Sequence, residues 1–233
     1  MLRNTIVLAT LTLLSIFGVG CGDTPSKQGQ DADLVSENPS IKQPKPAGTG
    51  FLLPLTPGRT WRTITSRPQQ ANVGSEMKVM GSLRVSDGRT GTLVRSTRGG
   101  KLFRVEVFQP TPGGGLNLLA LGENEKKLLV FSPAVPFLPA PVVEGKYIQW
   151  NGTARIDGRD YAASAFHRIS ATEEIKTPFE SLITYRLDGI ITLLNGSQRI
   201  DYPAVMWLVP GKGMAQRRLA DRGTLALEVI TKF

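Results

Sequence analysis

Leu102-Phe-Arg-Val-Glu-Val-Phe108 alternates bulky and polar side chains, and the reading of this stretch decides the fold. Period-two alternation puts one set of side chains on a buried face and the other in water, which is a β-strand with one wet side. The same alternation runs through Thr60-Trp-Arg-Thr-Ile-Thr-Ser66 and Met77-Lys-Val-Met-Gly-Ser-Leu-Arg-Val85. Further strands are expected at 92–97, 117–121, 127–131, 146–150, 160–169, 181–187, 190–194, 201–208 and 224–231. Between them stand Asp87-Gly88, Gly99-Gly100, Asn151-Gly152, Asp157-Gly158, Asp188-Gly189 and Asn195-Gly196. These pairs read as tight turns, because Asn-Gly and Asp-Gly supply the positive φ that a type I′ turn needs. No amphipathic helix of ten residues or more stands out, and 214–221 is the best short candidate. The expectation is an all-β domain of about a dozen short strands, antiparallel, arranged as a curled sheet or a partly closed barrel or sandwich.

Phe131-Ser-Pro-Ala-Val-Pro-Phe-Leu-Pro-Ala-Pro-Val-Val143 interrupts the pattern with four prolines. Proline cannot donate to a ladder, so this run is expected to cross between two halves of the fold, or to lie exposed as an apolar stripe that meets a partner or a lipid. The halves resemble one another. Pro54-Leu-Thr-Pro-Gly-Arg-Thr-Trp61 is echoed in Pro141-Val-Val-Glu-Gly-Lys-Tyr-Ile-Gln-Trp150, and aligning the glycines puts Trp61 and Trp150 on the same strand face.

Ahead of the β-rich region, residues 1–20 read as an export leader: Arg3, an uncharged apolar run from Thr5 to Val19, then small residues up to Gly20. The run is too short for a bilayer-spanning helix, which needs roughly 20 apolar residues. Cys21, the only cysteine of the chain, follows directly. The arrangement resembles a bacterial lipobox, although Gly18 stands where leucine is usual. That resemblance implies cleavage after Gly20 and a lipid on the Cys21 thiol. Several acyl chains together make a durable membrane anchor. Gly22, rather than aspartate, after the cysteine points to the outer membrane, facing the periplasm, where a cell has two membranes. Residues 22–50 carry four prolines and no aromatic residue, too little apolar surface to offset ordering. They read as a flexible tether with a reach of about 30 Å. The domain plan is therefore leader 1–20, lipidated cysteine and tether 21–50, and β domain 51–233.

The Pro54–Trp61 stretch (PLxxGxxW), the Pro141–Gly152 stretch and Trp207-Leu-Val-Pro-Gly-Lys-Gly-Met214 (WxxPGxG) resemble a broad set of uncharacterised bacterial envelope lipoproteins. That family implies an extracytoplasmic β domain with no assigned chemistry. Its members place Gly-Thr-Phe where this chain has Thr177-Pro178-Phe179. More distantly the pattern is similar to the open half-barrels of lipoprotein carriers, which hold acyl chains.

Chemistry-bearing motifs are scarce. The single histidine, His167, lies on an alternating stretch with Ala163 and Ala165 on its side and Ser164 on the other, so no nucleophile–histidine arrangement is expected. Glu173-Glu174 and Asp157 with Asp160 are the nearest approach to paired carboxylates, and all lie in or beside expected turns. Gly113-Gly-Gly115 lacks the following helix that a phosphate loop needs. No catalytic, metal or cofactor residues are assigned, and no enzyme is expected. The formal charge of +9 concentrates in Arg84, Arg89, Arg95, Arg98, Lys101 and Arg104, and in Arg217, Arg218 and Arg222. Outside the cytosol such clusters suit anionic envelope components rather than nucleic acid. The functional expectation is a membrane-anchored, non-catalytic domain that binds another envelope protein or component. The alternatives are a carrier or sensor holding a lipid-like apolar ligand in a half-barrel lined by Trp61, Trp150 and Trp207, or an unrecognised hydrolase.

Overall fold

The computed structural model describes residues 52–112, 114–221 and 224–233; Gly20, Cys21 and the tether lie outside the described residues. Twelve strands follow one another: β1 (Thr60–Ser66), β2 (Val73–Arg84), β3 (Thr90–Arg98), β4 (Lys101–Pro110), β5 (Leu116–Asn124), β6 (Lys127–Leu138), β7 (Tyr147–Ile156), β8 (Arg159–Lys176), β9 (Ser181–Asn195), β10 (Gln198–Val209), β11 (Gly213–Asp221) and β12 (Thr224–Lys232). Each pairs antiparallel with the next, and β12 returns to pair with β1, so the sheet closes into a barrel. Closure removes both sheet edges, and with them the unpaired backbone that an open curl would leave. The barrel is one continuous meander rather than two halves joined by a crossing.

Alternation works as expected on β1, where Trp61, Thr63 and Thr65 are buried between exposed Arg62 and Ile64. The inward set merges into a continuous apolar core that includes Trp61, Met77, Val94, Phe108, Phe131, Trp150, Leu187 and Leu208. The outer wall carries ion pairs such as Arg62–Glu76, Arg155–Asp160 and Arg199–Asp201. Charge outside and hydrocarbon inside is the inverse of a membrane-spanning barrel.

Four expectations need correction. The 214–221 stretch is strand β11, not a helix, because its hydrogen bonds go to β10 and β12. Asp188-Gly189 lies in the middle of β9, and Asn151-Gly152 within β7; neither is a turn. These glycines make room for rings. A Cβ at Gly189 would lie 2.6 Å from His167 Cδ2, and one at Gly152 would lie 2.4 Å from Trp150 Cζ2. The proline-rich run is not a crossing either: its first half is the second half of β6. The ladder from β6 to β7 holds only three pairs and stops at Ser132↔Thr153, immediately before Pro133. Beyond that point β6 keeps a laddered partner, β5, on one side alone, the edge-like setting in which proline is tolerated.

The β2–β3 hairpin does not stay in the barrel wall. A bulge between Val79 and Gly81, with Gly81 at φ 137°, bends it. Its tip leans across the outside: Arg89 donates to the carbonyl of Phe131 on β6. Under the tip lies a second, smaller apolar cluster of Val85, Leu93, Val105, Val107, Leu119, Ala120 and Val130. Val105 and Val107 alternate with the inward Glu106 and Phe108, so β4 is buried on both faces over this span.

Candidate functional site

Three tryptophans, one histidine and the arginine clusters were the sequence-level candidates, and the barrel places them very differently. Trp61 is fully buried at the end of the barrel where the chain arrives. Its indole N–H donates to the carbonyl of Lys212 at 2.8 Å, and Arg59 donates to the same carbonyl at 2.7 Å. A Cβ at Gly213 would stand 2.6 Å from the Trp61 ring. The PLxxGxxW and WxxPGxG elements thus clasp one another, one supplying the ring and the other the space for it. Trp150 lies edge-on to Phe131, 5.9 Å between centroids, within the same core. Trp207 faces the other way. Its neighbours Met206 and Leu208 point inward, while Trp207 sits on the outer wall with Arg186 at 5.7 Å and Arg218 at 5.5 Å from its ring centroid. The indole N–H donates to Glu173 Oε2 at 2.7 Å. The three rings therefore do not line one cavity, and Trp61 and Trp150 are embedded in side chains.

His167 points into the barrel against Phe137, 5.4 Å between ring centroids. Burial alone pushes its pKa down to about 4, so the imidazole is neutral and ring-packed, and among the described residues its Nδ1 meets no hydrogen-bond partner. One member of each acidic pair is committed elsewhere. Asp160 is bidentate with Arg155 at 2.7 Å, and Glu173 accepts from Arg186 and Trp207.

Within the arginine clusters, Arg222 lies outside the described residues, and several of the others are paired. Arg89 pairs with Asp87, Arg95 with Glu125, and Arg104 with Glu106. Arg217, read from sequence as part of a surface basic group, is inside the barrel. Its Nε meets Glu228 at 2.6 Å and its Nη2 donates to Ser96 at 3.1 Å. Glu228 also accepts from Arg98 at 2.9 Å. Burial raises the pKa of Glu228, but Arg217 and Arg98 outweigh it and hold the carboxyl below its usual value; Arg104 and Arg217 do the same for Glu106. These carboxylates stay ionised and fixed, a structural lock rather than a reactive pair. The signal sequence reasoning missed was Glu228, 11 residues after Arg217 and directly across the β11–β12 ladder.

The best-formed concavity lies under the leaning hairpin. It is an open depression of about 390 Å³ whose lining includes the apolar side chains Leu83, Val85, Leu128 and Val130. Arg84, Glu125, Lys126, Arg155 and Asp157 make its rim. Glu125 and Arg155 are tied to Arg95 and Asp160, so among the described lining residues Arg84, which donates to the Gly88 carbonyl at 3.1 Å, and Lys126 stand with Asp157 outside any ion pair. The cleft thus offers apolar side chains with a mildly cationic lip. Among the described residues no group of three or more histidine, cysteine or acidic side chains is arranged to hold a metal.

No family model and no curated protein matches the chain. Among solved structures it is similar to an inferred exported protein of YmcC-like fold from Bacteroides fragilis, at 12% identity over 78% of this chain and 98% of that one, with a TM-score of 0.48. It is also similar to an inferred lipoprotein from Parabacteroides distasonis (13% identity, 78% and 97% covered, TM-score 0.40). A third similarity is to the hypothetical lipoprotein YmcC from Escherichia coli (11% identity, 74% and 84% covered, TM-score 0.38).

Proposed function

We propose that this chain is a lipid-anchored protein of the cell envelope whose barrel is a binding module, not an enzyme. The anchoring half is supported by the position of the only cysteine, directly after an export leader ending in small residues. The binding half is carried by the cleft under the β2–β3 hairpin, where apolar side chains meet Arg84 and Lys126, neither in an ion pair among the described residues. That lining suits an envelope component with an apolar group and one anionic group. The apolar part excludes water along Leu83, Val85, Leu128 and Val130, and the anion meets Arg84 and Lys126.

Two measurements test this reading. Cys21→Ser is expected to abolish palmitate labelling and release the protein from the membrane fraction; continued labelling refutes the anchor. Native mass spectrometry of the protein extracted from envelopes is expected to show a bound amphiphile that is absent in Leu128→Glu. Identical bare masses for both proteins refute the binding cleft.

A further inference from the structure

The antiparallel order brings the start of β1, the end of β12 and the β8–β9 and β10–β11 turns to one end of the barrel. The chain arrives at this end, and its arrival point is fixed because Leu52 and Leu53 are buried in the core. The first described residue, Leu52, therefore belongs to this end.

We propose that this end is a contact surface for an anionic lipid bilayer, with Phe179 as its inserting side chain. Phe179 stands on the four-residue β8–β9 turn and is 47% exposed. The turn is held rigid: the Thr177 N–H donates to the Glu180 carbonyl at 2.9 Å, and the Glu180 N–H donates back to Thr177 Oγ1 at 3.1 Å. Pro178 restricts φ between them. A stiff turn that presents a phenyl ring to water loses little further entropy when the ring enters an interface. One edge of the ring rests on Phe233, 6.1 Å between centroids, and Lys212 lies 5.1 Å from the Phe233 ring while pairing with Glu180. At this end Lys176 and Lys232 are exposed with no ion pair among the described residues, and so are two carboxylates, Glu174 and Glu144, the latter accepting from the Thr172 N–H at 3.3 Å. An aromatic tip with Lys212 beside it and Lys176 and Lys232 on the adjoining strand ends suits the bilayer interface, where the ring reaches the acyl boundary and the ammonium groups meet headgroup phosphates. The choice of a bilayer over a protein rests on the anchoring reading. The binding itself is a property of the barrel and is measured without the anchor.

The full mature chain carrying Cys21→Ser is mixed with vesicles of phosphatidylglycerol and phosphatidylethanolamine, or of phosphatidylcholine alone, and sedimented. Binding to the anionic vesicles is expected, weaker at high salt, and about tenfold weaker for Phe179→Ser. Lys176→Glu with Lys232→Glu should weaken it comparably. Leu194→Ser with Ile200→Ser, exposed apolar residues at the far end, should change nothing. Phe179→Trp keeps an aromatic ring and is expected to shift its emission to the blue on vesicle addition. Absence of binding by the parent chain, equal binding by folded Phe179→Ser, or loss in the Leu194/Ile200 variant overturns the proposal. Palmitate labelling of Cys21 in the same protein would then leave the anchor standing and the contact surface refuted.

Discussion

Acidifying the medium from pH 7 to pH 5 is expected to destabilise the barrel through His167 alone. An exposed histidine in the unfolded chain titrates near 6.5, whereas burial in the fold lowers His167 to about 4. Between these values the unfolded chain takes up a proton that the folded protein refuses, so stability falls as pH falls. The loss is about 2 kcal/mol between pH 7 and pH 5, and it approaches about 3 kcal/mol below pH 4. The window is clean because the chain has no other histidine. Glu106 and Glu228, held below their usual values, add stability above the unfolded carboxylate pKa and lose it only at lower pH still. Urea unfolding followed by tryptophan emission at pH 7, 6 and 5 measures the slope. His167→Gln, which cannot titrate, should flatten it whatever its effect on absolute stability. A parent protein with the same stability at pH 7 and 5, or a variant that keeps the full slope, refutes the reasoning.

The remaining predictions concern packing. Gly189→Ala forces a methyl group to 2.6 Å from the imidazole and should cost about 1–3 kcal/mol. In His167→Ala the same substitution should cost much less, a non-additivity that a double-mutant cycle reads directly. Glu228→Ala takes the nearest carboxylate from buried Arg217, leaving it Glu106 and Ser96, and takes a carboxylate from Arg98 as well; it should lower stability by about 3–5 kcal/mol in urea titration. Trp61→Ala empties a core site at about 3–5 kcal/mol. Trp207→Ala removes a ring that is 5% exposed and is held by two arginines and one hydrogen bond, and should cost about 3–5 kcal/mol.

Most of the strands were legible because one face of each is wet, which keeps the period of two visible, as at Trp61, Thr63 and Thr65. Legibility failed wherever a residue's role is set by a partner distant in sequence. Gly189 and Gly152 look like turn residues until the rings of His167 and Trp150 are placed beside them. Arg217 looks solvated until Glu228, Ser96 and Glu106 converge on it from other strands. The cleft was invisible for the same reason. Its apolar lining is shared between β2 and β6, and nothing local in Leu83 or Val130 announces that a bent hairpin brings them together. Barrel closure was half legible: the strand count suggested curling, but the β1–β12 seam joins residues more than 160 positions apart.

That seam also dictates when the molecule can become stable. While the final segment is still being synthesised or threaded across a membrane, Thr63 and Ile64 have no Ile230 or Val229 to meet, and the indole of Trp61 has at most a half-built socket. The nascent polypeptide is then an unzipped ribbon with two adhesive margins, vulnerable to neighbours and proteases alike. Losing even the last nine or ten residues would leave it permanently in that condition.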